Sequence, residues 1–138
     1  MPWWGYALVS ATAAAATAVL AKLGVAGVPS HLATAVRTVV VLVLAWGIVL
    51  GVGEHRALTT ISRRSIGFLV LSGLATGVSW LAYFRALQMA PVSWVAPLDK
   101  LSLPLTVVLA VVVLGESVSW RAACGVTLMV VGALLSRS

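Results

Sequence analysis

Charge is what this chain has least of. Of its 138 residues only 9% are Asp, Glu, Lys or Arg, against roughly 25% in a soluble domain. So few polar side chains cannot cover a water-facing globule, and with 62% of residues hydrophobic the sequence implies lipid as its solvent. Acidic residues number three, Glu54, Asp99 and Glu116. None falls in the first apolar run, which argues against a cation–proton exchanger built on a first-helix carboxylate. The single cysteine, Cys124, excludes an internal disulfide and says little about redox compartment. His31 and His55 fall at opposite membrane faces and cannot share a metal with Cys124. No Walker loop, HExxH or GxSxG is present, so neither an enzyme nor ATP-driven transport by this chain alone is expected. No metal and no cofactor are expected either. No linker, second domain or internal repeat is expected.

What the chain has is apolar runs of membrane length. A helix needs about 20 residues to cross the hydrocarbon core. Spans are expected over about residues 4–26, 32–52, 66–87, 92–114 and 120–136, the last a short one. Gly27-Val28-Pro29-Ser30 separates the first two, joining a helix stop to a helix-start Ser. The polar stretch 53–65 separates the second and third, Met89-Ala90-Pro91 the third and fourth, and Gly115-Glu116-Ser117 the fourth and fifth. The expected architecture is an all-α integral membrane protein, a five-helix bundle forming one domain over residues 1–138. Its short connections make consecutive helices antiparallel and place its termini on opposite sides. The first run carries no preceding Lys or Arg and exceeds the usual apolar signal region, which disfavours a cleaved signal peptide.

A formal charge of +6 would suggest nucleic acid in a soluble protein. Here the Lys and Arg residues lie at or near the ends of apolar runs, and membrane orientation explains them better. On the face holding the N-terminus lie Arg56, Arg63, Arg64 and Arg121. On the other lie Lys22, Arg37, Arg85, Lys100 and Arg137. Four against five is nearly a draw. Two readings follow, a fixed orientation with a weak bias toward the Arg56–Arg64 side as cytoplasmic, or insertion in both orientations.

Rows of small residues suit close helix approach in lipid. They are Ala11, Ala15 and Ala18 in the first span, Gly73-xxx-Gly77 in the third, and Gly125 and Gly132 in the fifth. The last pair is a candidate interface between subunits. Trp3, Trp4, Trp46, Trp94 and Trp120 read as interfacial anchors. Trp80, near Tyr83 and Phe84, lies well inside the third span, where it packs a core or lines a cavity.

The fourth run is the least comfortable in lipid. Ionisable residues inside a span are expensive and mark functional sites by default, and here Asp99 and Lys100 sit between Pro97 and Pro104. Each proline removes a helix hydrogen bond and frees the carbonyl four residues earlier, those of Ser93 and Lys100. Interrupted helices at membrane depth occur where they line a cavity or are buried in protein. Asp99, Ser102 and Thr106 share one helix face, whereas Lys100 turns about 100° away. The spacing therefore sets the neighbouring pair on different targets and gives Asp99 a cation on another helix, with Arg37 and Lys22 nearest in depth. Asp99 is then either a structural ion-pair partner or a substrate or proton site. If Lys22, Arg37, Arg85, Asp99 and Lys100 converge, the cavity is net positive and suits an anionic or zwitterionic solute.

These segments resemble a known family. Lys22 followed by Ala33-Thr-Ala-Val-Arg37 is similar to the K…(A)xxxR pattern of the EamA family of the drug/metabolite transporter superfamily. Trp80-Leu-Ala-Tyr83-Phe-Arg85-Ala-Leu87, Val95-Ala-Pro97-Leu-Asp99-Lys100-Leu-Ser102 and Leu114-Gly-Glu116 resemble the rest of its signature. The likeness is to the five-span, single-repeat bacterial and archaeal members. It implies a membrane secondary transporter of a small metabolite or drug-like solute, working by alternating access in the bacterial or archaeal inner membrane. Its larger relatives join two inverted five-span repeats, so the resemblance further implies a dual-topology, antiparallel homodimer. Candidate solute- or ion-binding residues are Lys22, Arg37, Trp80, Tyr83, Asp99, Lys100, Ser102 and Thr106, with Pro97 and Pro104 as helix breakers. The competing expectation is a non-transporting partner subunit or scaffold whose internal charges serve only assembly.

Overall fold

The computed structural model describes residues 2–136; Arg137 and Ser138 lie outside them. The described chain is helical and carries no strand. The helices are α1 (Trp3–Gly24), α2 (Ser30–Val52), α3 (Arg63–Met89), α4 (Val92–Asp99), α5 (Ser102–Leu109) and α6 (Trp120–Leu135). A 3-10 segment, Glu54–Thr60, precedes α3, and a π-helical segment, Ala110–Leu114, continues α5. Helices α1, α2, α3 and the composite Val92–Leu114 are long and apolar enough to cross a membrane. At 16 residues α6 is shorter.

Local chemistry sets these boundaries. Gly53 ends α2 in the left-handed region, φ 82°, a conformation that suits a residue lacking Cβ. Gly115 does the same after the π segment at φ 69°. Pro29 and Pro91, both extended, precede α2 and α4, where a missing N–H costs nothing. Ser30 therefore opens α2 as its first helical residue and does not cap it; its carbonyl accepts the Thr34 hydroxyl at 2.9 Å. At α3 the Ser62 hydroxyl accepts the Ser65 N–H at 3.0 Å, an N-cap that draws Arg63 and Arg64 into the first turn. The expected polar loop after α2 is instead wound into its 3-10 turns, with the Thr60 hydroxyl donating to the Ala57 carbonyl at 2.7 Å.

Large apolar side chains point outward along all the long helices. Val40, Leu44, Leu69 and Val112 are each more than 60% exposed, which water would not tolerate over such areas but lipid requires. Trp3, Trp4, Trp46, Trp94 and Trp120 are exposed, and Trp80 is half-buried.

The chain divides into two compact units. One holds residues 21–88, the end of α1 with α2 and nearly all of α3. The other joins the first 20 residues to 89–138. In the second unit α6 packs against both α4 and α5, where Val95, Pro104 and Ala133 are buried. A Cβ built on Gly73, Gly77, Gly125 or Gly132 meets nothing within 4 Å among the described residues.

Candidate functional site

The fourth span is interrupted where its sequence is most polar. Helix α4 ends at Asp99, Lys100 and Leu101 form a turn, and α5 begins at Ser102. Hydrogen bonds shorten across the break. The Leu101 N–H reaches back three residues to the Leu98 carbonyl at 3.0 Å, and the Leu103 N–H reaches the Lys100 carbonyl at 3.0 Å. The carbonyl that Pro104 deprives of its usual donor is thus satisfied by a tighter, 3-10-type bond. Pro104 is buried and Pro97 half-buried.

The charges at this break do not diverge as the continuous-helix geometry suggested. The Lys100 ammonium lies 3.4 Å from the Asp99 carboxylate, with both side chains partly exposed. The long Lys100 side chain folds back over the turn to the short Asp99 carboxylate. Such an exposed pair contributes about 1 kcal/mol or less. The polar stripe beyond it is partly self-satisfied, since the Thr106 hydroxyl donates to the Ser102 carbonyl at 2.8 Å.

A second cluster is built within residues 21–88. Lys22, at the last turn of α1, donates to the carbonyl of Leu87, a fully buried residue near the end of α3. Gln88 donates to the Val28 carbonyl at 2.6 Å and accepts from the Arg85 guanidinium at 3.2 Å. Lys22 thereby ties the last turn of α3 to that of α1, as a cation at a helix C-terminus where the dipole favours it, and Gln88 ties it to the α1–α2 connection. An open depression of ≈ 560 Å³ lies there, lined by both cations, Gln88, the backbone turn and Leu87.

Deeper along α3 the Arg37 guanidinium lies over the Trp80 ring, 3.5 Å from its centroid, and 5.5 Å from that of Phe84. Phe84 is buried, and Tyr83 meets its edge at 6.4 Å with the rings 76° apart. Trp80 and Phe84 are one helical turn apart, so they form one continuous aromatic shelf.

Of the residues that the sequence singled out, Lys22, Arg37, Trp80 and Tyr83 fall in one unit. Pro97, Asp99, Lys100, Ser102, Pro104 and Thr106 fall in the other. Phe84, named from sequence only as a neighbour of Trp80, and Gln88 were not among the candidate residues. Their signal was there to read: with Trp80 they occupy positions i, i+4 and i+8 of one helix face, and Gln88 is a lone amide at the end of an apolar run.

The described residues, all-helical apart from short connections and with apolar faces turned outward along spans of membrane length, make this an integral membrane protein. Residues 1–138 match the EamA-like transporter family, and the chain belongs to it. A relative from a Sinorhizobium species, named "Uncharacterized transporter in cobO 3'region", is 48% identical over 133 residues, covering 96% of this chain and 94% of the relative. No solved structure matches.

Proposed function

We propose that this protein is a secondary carrier of a small metabolite or drug-like solute in a bacterial inner membrane, working by alternating access. The observation that carries the reading is the break at Lys100–Leu101 in a member of the EamA-like transporter family. A span that stops and restarts between two prolines supplies a flexible joint at membrane depth, and the Asp99–Lys100 pair places ionisable groups at that joint. In this reading the chain is one domain of five spans, with α6 as the fifth. Ser102 and Thr106 line the path beside the pair.

Five crossings leave the termini on opposite sides, so a second copy inserted the other way supplies the inverted repeat that the resemblance implies. The near-even split of Lys and Arg suits such dual insertion. The open faces at Gly125 and Gly132 of α6 are where the two copies meet in this reading.

Transport is tested by reconstituting the protein in liposomes and following flux across a panel of amino acids, carboxylates, sugars and organic cations. Counterflow of at least one solute, lost on Asp99→Asn, is expected; folded protein that moves none would remove the carrier reading and leave a scaffold. Topology is tested with single cysteines at Ala57 and Met89 in a Cys124→Ser background. Met89 is exposed, and Ala57 avoids the strained φ of Gly53. Labelling of each site from both sides is expected, and strictly one-sided labelling rules out the antiparallel dimer.

A further inference from the structure

We infer that Arg37, held on the Trp80–Phe84 shelf, is the receptor for the anionic head group, a carboxylate or a phosphate, of the transported solute. The inference rests on the carrier reading above and names the class of solute for it.

The direction in which Arg37 reaches is the first argument. An arginine near a helix end ordinarily snorkels, carrying its charge to the interface. The Gln88–Val28 hydrogen bond sets the end of α3 level with the start of α2. Arg37 lies seven residues into α2, roughly 10 Å along its axis, and Trp80 lies nine residues from the end of α3, roughly 13 Å along it. The guanidinium over Trp80 therefore sits at least as deep as its own backbone. It has turned inward, onto a ring, when water and head groups lie the other way.

Partnership is the second argument. Within residues 21–88 the contacts of Arg37 are with aromatic side chains, the faces of Trp80 and Phe84 and, electrostatically, Tyr83, and no carboxylate of that unit lies beside it. Glu54 is the one acidic residue of that unit. It lies beyond the far end of α2, past about 22 Å of helix rise from Arg37. Stacking offsets part of the cost of holding a cation in the membrane. Stacking also uses only the face of the guanidinium. Its edge, a planar fork of N–H donors, remains for a ligand with two coplanar oxygens.

The surroundings are consistent in sign. The depression at the shallow end of the same helices is lined by Lys22 and Arg85 and by no carboxylate. Lys22 is engaged with the Leu87 carbonyl and Arg85 with the Gln88 amide oxygen, and together the two cations give this depression its positive sign. An arene or apolar body on the solute would then lie along Trp80 and Phe84 beside its head group.

Binding of benzoate and phenyl phosphate to the full chain in phosphatidylcholine nanodiscs, followed by calorimetry, tests this, with benzamide as the uncharged isostere. Saturable binding of an anion is expected, with benzamide weaker by roughly tenfold or more. Arg37→Lys keeps the charge but loses the fork and should weaken the anion by about tenfold. Arg37→Met should abolish binding, and if that variant fails to fold, Arg37→Lys decides. Arg85→Gln, at the outer depression, should change equilibrium affinity far less. Equal affinity for benzamide, or an Arg37→Lys variant that binds anions normally, overturns the inference. So does displacement of the probes by added phosphatidylglycerol, which would make a lipid head group the occupant. Anion binding through Arg37 without flux of any solute would sink the carrier reading alone. Flux of cationic or neutral solutes, indifferent to benzoate, would sink this inference alone.

Discussion

Replacing Lys22 with Met separates a structural cation from a ligand. The Lys22 ammonium donates to the Leu87 carbonyl, in the last turn of α3, where carbonyls lack helical partners. A hydrogen bond from a charged donor contributes about 1.5–3 kcal/mol, and a cation at a helix C-terminus about 0.3–1 kcal/mol. Against that, Met sheds the cost of keeping an ammonium out of bulk water. That relief is small here, because Lys22 lies two residues from the end of α1. A net loss of about 1–3 kcal/mol is expected for Lys22→Met, and most of it should be recovered in Lys22→Arg, which keeps a cationic donor in reach. Equilibrium unfolding in mixed micelles measures it. Flux per folded molecule should change little. Unaltered stability together with lost flux per folded molecule would show that Lys22 meets solute, and that its bond to Leu87 is incidental.

Other substitutions test other joints. Gly53→Ala should cost about 1 kcal/mol, because φ is 82° while the new methyl meets open space. Gly51→Ala, two residues earlier inside α2 and also in open space, should stabilise by about 0.5–1 kcal/mol in the same unfolding assay. Ser62→Ala removes the cap on α3 and should destabilise by about 0.5–2 kcal/mol, seen in the same unfolding midpoint. Pro104→Ala restores an N–H within reach of the Lys100 carbonyl and should merge α4 with α5. Flux should fall by roughly tenfold or more if the two helices become continuous. A variant that transports normally with a continuous helix would remove the hinge from the mechanism.

The apolar runs and the helices that contain them differ at their ends. The apolar run suggested 66–87 for the third span, whereas α3 covers Arg63–Met89. Hydropathy marks the part of a helix that lipid touches, and hydrogen-bond capping marks the helix itself; Ser62 supplies a cap that includes two arginines. At α2 the two signals agree at the C-terminal end, because Gly53 follows Val52 directly. The Glu54–Thr60 turns left no periodic trace, being held by hydroxyls bonding three residues back. Among site residues, Asp99 and Lys100 stood out as charges in lipid, yet their mutual contact depends on where α4 ends. The Arg37–Trp80 stack was illegible for a different reason. It depends on the register of α2 against α3, which the Gln88–Val28 bond helps to set across 60 residues of sequence.

The helix lengths carry a consequence for the membrane itself. At 1.5 Å per residue, the 27 residues of α3 extend about 40 Å, and the 16 of α6 about 24 Å. A hydrocarbon layer of about 30 Å is too thin for one and too thick for the other. If α6 crosses as proposed, α3 must lean or project into the head groups, and lipid must thin around α6. Either accommodation costs a fraction of a kcal/mol per Å of mismatch. Acyl-chain length therefore becomes a mechanical load on this protein, one that a change in growth temperature or lipid composition would apply without touching a single residue.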